Sequence, residues 1–162
     1  MPLHKETRIL PYTADQMYGI VADVERYPEF LPWCSAVKIV KRERRSEVDF
    51  VTAEMTVAFH GLEEGYVSLV RLDKHAMMIE ARHVKGPFRK LDTRWRFQRL
   101  SHGSEINFLI DFAFSNPVLS AVAGVAFGRV ASRMAEAFIA RAAALHGARV
   151  SANSEEGTVN SE

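Results

Sequence analysis

One long amphipathic segment, Pro117 to Leu145, limits what this chain can fold into more than any other, because a helix of that length needs an apolar surface to lie on. Asn116 can cap the first free backbone N–H groups, and Pro117 stands at the first helical position, where its missing N–H costs nothing. His146 and Gly147 supply the stop. Between these signals Leu119, Val122, Ala126, Val130, Met134, Phe138 and Leu145 share one face, and Arg129, Arg133 and Glu136 fall on another. At 1.5 Å per residue the helix is roughly 40 Å long. Its first half is uncharged from Val118 to Gly128, and Ala121, Ala123, Gly124, Ala126 and Gly128 are too small to fill space. Such a helix either lies very close to its partner or leaves room for something else. The reading adopted is a sheet that wraps the helix, with a ligand in part of the gap.

The preceding chain supplies that sheet. His4 to Leu10 reads as a first strand, with Ile9 and Leu10 at its end, and a helix starts at Thr13 or Asp15 and uses Met17, Tyr18 and Val21 as its apolar face. Pro28 and Pro32 bracket a segment too short for more than a helical turn or two. From Ala36 to Asn116 the apolar period becomes two. Val37 and Ile39 lead a strand that ends in Lys41 to Arg45, a turn by composition. Val51 to Phe59, Tyr66 to Leu72 and Met77 to Val84 follow as strands. Leu91, Thr93, Trp95 and Phe97 then lie opposite Arg94 and Arg96, and Ile106 to Phe114 forms the last strand. Short connections make every neighbour antiparallel. The expected fold is α+β: a curved antiparallel sheet of about seven strands around a long carboxy-terminal helix, with two short helices after the first strand.

With 48% hydrophobic and 25% charged residues the chain reads as one globular domain over residues 1–149, followed by a polar, acidic tail over 150–162 expected to be disordered. A net charge of +1 gives no pull towards DNA. The single cysteine, Cys34, excludes an internal disulfide framework and points to a reducing compartment, and the six histidines show no paired metal-ligand spacing, so no metal site is expected. The first residues lack the apolar run of a secretory signal, which makes a cytoplasmic protein, or one peripheral on the inner membrane, the expectation.

Two stretches carry a family resemblance. Tyr27-Pro28-Glu29-Phe30-Leu31-Pro32-Trp33-Cys34, together with Gly86-Pro87-Phe88-Arg89-Lys90-Leu91 followed by Trp95-Arg96-Phe97, resembles the coenzyme Q-binding, START-like proteins of the polyketide cyclase/dehydrase superfamily, across Met1 to about Arg149. The resemblance implies a helix-grip fold with a hydrophobic tunnel. It also implies non-catalytic binding of ubiquinone, or a similar polyprenyl lipid, in support of respiratory electron transport. A bacterial branch includes a ribosome-association toxin reported to block subunit joining, often with a small residue where this chain has Trp33. That toxin-like role is the alternative, and a polyketide cyclase or dehydratase type of enzyme is the second.

On that architecture Trp95, Phe97 and Leu91 are the first cavity candidates, with plain core packing as the competing role. Phe88 is either a tunnel rim or a turn residue. Pro32 and Trp33 belong to one mouth, where Trp33 either touches ligand or membrane or covers the end of the sheet. Met55, Val57, Phe59, Met77 and Ile79 face them from other strands, and Val122, Ala123 and Phe127 from the helix. Cys34 reads as an inert buried thiol. His60, His83 and Asp111 are the only acid–base candidates, none paired in sequence, so no catalytic residue is assigned. Lys85, Arg89, Lys90, Arg94, Arg96 and Arg99 form a basic cluster that suits anionic lipid headgroups or ribosomal RNA, or is merely a solvated face.

Overall fold

The computed structural model describes residues 3–59, 62–86 and 88–147, with the side chains at 59, 62, 114, 119–128 and 130 outside that description. The expectations for His60 and for the tail therefore fall outside the described residues. Strand β1 (Leu3–Leu10) is followed by helix α1 (Ala14–Ala22) and a 3₁₀ segment (Val24–Glu29). Strands β2 (Cys34–Arg45), β3 (Val48–Phe59), β4 (Leu62–Asp73), β5 (Met78–Lys85), β6 (Phe88–Leu100) and β7 (Gly103–Phe114) lead to helix α2 (Pro117–His146). The seven strands form one antiparallel sheet in the order β1-β7-β6-β5-β4-β3-β2. Irregularities at Cys34/Ala36 and Ile39/Lys41 in β2 and at Phe88/Lys90 in β6 add local twist, which helps the sheet curl around its apolar face.

Local chemistry sets the helix ends. Thr13 and Gln16 cap α1 reciprocally: each backbone N–H donates to the other's side-chain oxygen at 3.0 Å. In α2 the N–H of Val118 donates to Asn116 Oδ1 at 2.8 Å, and Gly147, at φ +86°, donates to the carbonyl of Ala143 at 2.9 Å. The 3₁₀ segment joins α2 to the β2 edge: the rings of Tyr27 and Phe30 meet Phe138 edge-on at 5.3 and 5.2 Å, and Arg141 pairs with Glu29 at 2.8 Å. Helix α1 covers the end of the sheet where Tyr18 meets Phe97 at 5.6 Å.

Two expectations change. Lys41 to Arg45 is not a turn but the end of β2; its charges lie along an edge strand and pair as Lys41–Glu43 at 2.9 Å, Arg45–Glu43 at 2.9 Å and Arg42–Glu25 at 3.1 Å. The turn is Ser46-Glu47, both at positive φ, 50° and 67°. Among the described side chains of α2, Ala131, Ala135, Phe138 and Ala142 are buried and Met134 packs against the core, while Leu145, expected on the same face, is 54% exposed; Leu119, Val122, Ala126 and Val130 lie outside the described side chains. In β1 Leu10 points inward and Ile9 is 71% exposed, and the other inward positions carry His4, Glu6 and Arg8. His4 Nε2 contacts Glu6 Oε1 at 2.8 Å, and Arg8 pairs with the same carboxylate.

A two-residue hairpin with both central residues left-handed favours Asn-Gly, and a left-handed conformation costs an ordinary L-residue roughly 1 kcal/mol. The double substitution Ser46→Asn and Glu47→Gly should raise the melting temperature by about 2–4 °C in a thermal scan. An unchanged or lower midpoint would show that the turn is not strained.

Candidate functional site

Between the concave face of the sheet and the second half of α2 lies an apolar cavity of about 100 Å³. Alternation along the strands places its walls. Trp95, Thr93 and Leu91 project from β6, Ile79 and Ala81 from β5, Val70, Ser68 and Tyr66 from β4, and Met55 and Val57 from β3. Ile110 of β7 lies behind them, Met134 and Phe138 of α2 close the top, and Tyr27, Leu31, Trp33 and Cys34 close the β2 side. The indole of Trp95 has both roles weighed for it: it stacks on Phe108 at 4.2 Å, meets Phe138 edge-on at 5.0 Å, and still lines the cavity.

Of the residues expected from sequence, Trp33, Met55, Val57, Leu91, Trp95 and Ile79 come together in this wall. Phe97 shares the concave face with Trp95 but packs under α1 against Tyr18, and Met77 is buried outside the wall. Phe88 is buried outside it too, against Tyr66 at 5.3 Å and Phe112 at 6.3 Å. Pro32 is exposed. The side chains of Phe59, Val122, Ala123 and Phe127 lie outside the described residues. Sequence reasoning missed Tyr27, Leu31, Tyr66, Ser68, Val70, Ala81, Thr93 and Ile110. For β4 the signal was ambiguous, since Val67 and Leu69 on the outer face are as apolar as Val70 on the inner one.

The polar groups in the wall are mostly engaged. Tyr27 donates its hydroxyl to the carbonyl of Val21, Ser68 Oγ to that of Arg82 at 3.4 Å, and Tyr66 its hydroxyl to the Met55 sulfur at 3.3 Å, a weak acceptor. Burial raises both tyrosine hydroxyls above their ordinary value and pushes the Cys34 thiol up to about 11, so all three keep their protons at neutral pH. His83 and Asp111 cannot act together, because they lie on opposite faces. Asp111 is on the outer face, paired with Lys90 at 2.6 Å, where its charge holds the lysine above its usual range. His83 is on the concave face, register partner of Ser68, with its ring edge-on to Phe88 at 5.8 Å. Its Nε2 is buried and has no hydrogen-bond partner among the described residues, an arrangement that costs on the order of 1–3 kcal/mol. The basic cluster does not form one free patch: Arg94 pairs with Glu80 at 3.0 Å and Arg99 with Asp15 at 3.1 Å. Among the described residues no group of His, Cys, Asp and Glu is arranged to hold a metal ion, and no helix is long and apolar enough to cross a membrane.

Comparison with known proteins agrees with this geometry. The family described as polyketide cyclase/dehydrase and lipid transport matches residues 10–139. The ribosome association toxin RatA of Escherichia coli is 34% identical over 150 residues, covering 92% of each chain. The coenzyme Q-binding protein COQ10 homolog B of Xenopus laevis is 31% identical over 150 residues, covering 89% of this chain and 59% of that protein. The solution structure of an 18 kDa protein from Caulobacter crescentus superposes with a TM-score of 0.76 at 37% identity, covering 91% of this chain and all of that one.

Phe138, 2% exposed, joins helix, sheet and 3₁₀ segment, so Phe138→Ala should destabilise the protein by about 3–5 kcal/mol in urea unfolding. Cys34 gives a pH signature. Its folded value of about 11 lies above the ordinary 9.0, so the unfolded chain loses the thiol proton first, and stability falls as pH rises from about 9 to 11. Cys34→Ala should remove about 1–2 kcal/mol of that alkaline loss, read as the difference between wild-type and variant urea midpoints across the window. Parallel pH profiles would mean that the thiol is not held protonated by burial.

Proposed function

The chain belongs to the polyketide cyclase/dehydrase and lipid-transport family, and on that footing we propose that it is a non-catalytic binding protein for ubiquinone or a similar prenylated ring lipid, supporting respiratory electron transport. The observation that carries this reading is the apolar cavity, walled by two indoles and by hydroxyl and thiol groups held protonated at neutral pH. Such a wall offers shape and dispersion contact to a flat ring, but no general acid or base poised near neutrality. The Xenopus relative, named as a coenzyme Q-binding protein, supports the same ligand class.

At about 100 Å³ the cavity is smaller than the roughly 300–1,000 Å³ of typical ligand sites, so the ligand has to widen it. Met55 and Met134 in the wall suit that demand, because unbranched thioether side chains change rotamer at low cost. A second reading rests on the relatives named as ribosome association toxins, at 34% identity. It assigns the chain an interaction with ribosomal subunits rather than with a lipid.

Both tryptophans of the chain, Trp33 and Trp95, line the cavity, so their emission reports on it directly. Decylubiquinone should quench this fluorescence saturably, and Ala81→Leu, which fills the space without removing any group, should weaken binding by about tenfold or more. Freshly purified protein should release a quinone on solvent extraction, identified by mass spectrometry. Failure to quench, together with altered subunit joining in sucrose gradients that Ala81→Leu leaves intact, would favour the ribosomal reading.

A further inference from the structure

The cavity has a direction in which to lengthen. Towards α1 it ends on packed aromatics, with Trp95 stacked on Phe108 and Phe97 held by Tyr18. Towards the other end of the strands the concave face continues from Ala81 and Ser68 to His83, the register partner of Ser68 and two residues beyond Ala81. Only the rings of Phe88 and Tyr66, edge-on to each other at 5.3 Å, are described between the cavity and the imidazole. Gly86 shapes this corner. Its φ is +145°, and a Cβ there would stand 2.6 Å from the Cβ of Tyr66, so the turn into β6 passes close over the tyrosine.

We propose that His83 is the polar anchor of the ligand site: its buried Nε2 hydrogen-bonds a ring oxygen of a ligand whose apolar part fills the cavity, with Phe88 and Tyr66 turning aside to admit the ring. This rests on the lipid-binding reading above and specifies the ligand. Among the described residues, Phe88 meets the imidazole edge-on and Ser68 is its register partner, both uncharged, so an anionic head buried there would find no cation in them. A neutral oxygen is the matching chemistry, either a quinone carbonyl accepting from Nε2–H or a phenol hydroxyl donating to the other tautomer. The Tyr66 hydroxyl, held among the described residues by the Met55 sulfur, a weak acceptor, can pass to a second oxygen at little loss.

Decylubiquinone and decylbenzene, one with ring oxygens and one without, separate the anchor from the cavity when each is titrated against tryptophan emission. His83→Phe should weaken decylubiquinone by about tenfold or more and leave decylbenzene unchanged, and His83→Gln, which keeps hydrogen-bonding atoms, should recover most of the loss. With carbonyl-labelled quinone, the infrared C=O band of the wild-type complex should lie lower than in the His83→Phe complex. Equal binding of decylubiquinone by wild type and His83→Phe, equal weakening of both probes, or an unshifted band would overturn the anchor while leaving the cavity reading in place. Binding of neither probe by the wild type would overturn the cavity reading and the anchor with it.

Discussion

The contact on which the rest depends is the meeting of Phe138 with Trp95. One side chain comes from the helix and the other from the middle of the sheet, and the 3₁₀ segment adds Tyr27 and Phe30 to the same ring. Three parts of the chain far apart in sequence are thereby fixed by one aromatic cluster, whose edge-to-face geometry adds roughly 0.5–1.5 kcal/mol per pair to the area it buries. On one side of it Ala131, Ala135 and Ala142 bring the helix backbone close to the sheet. On the other side the fit stops, and the cavity begins.

That contrast accounts for how a small domain keeps space open inside itself. The alanine stripe and the aromatic cluster hold the second half of α2 in place. Below Met134 and Phe138 the concave face carries residues as small as Ala81 and Ser68. The wall thus combines a rigid floor, in Trp95 and Ile79, with deformable flanks in Met55 and Met134.

How much of this was legible in the sequence follows from which signals are local. The limits of α2 were readable because Asn116, Pro117 and Gly147 act on their own backbone neighbours. The order of elements followed from a period that changes once. On α2 Phe138 was placed correctly, but Leu145 was counted on the buried face where Ala142 packs, because the reading followed side-chain size. Lys41 to Arg45 was taken for a turn because an edge strand wetted on both faces lacks the apolar alternation that marks a strand. For the site, alternation correctly grouped Leu91, Thr93, Trp95 and Phe97 on one face. It could not tell that Phe97 lies under α1 while Trp95 borders open space, since a period gives direction and not depth. His83 was noticed only as an acid–base candidate; that its ring nitrogen is buried without a partner is a tertiary fact.

The charged margins of the sheet bear on what such a protein risks. Strands β1 and β2 are the two ends of the sheet, and each has one unpaired row of backbone groups, the template on which misassembled fibrils grow. Any domain that loosens to swallow a greasy guest briefly loses some of its own cohesion. Along β2 the exposed Lys38, Lys41, Arg42, Arg44 and Arg45 set like charges against an approaching copy, and Lys5 stands on β1. On β2 above all, such charges act as electrostatic fenders that oppose edge-to-edge growth into aggregates.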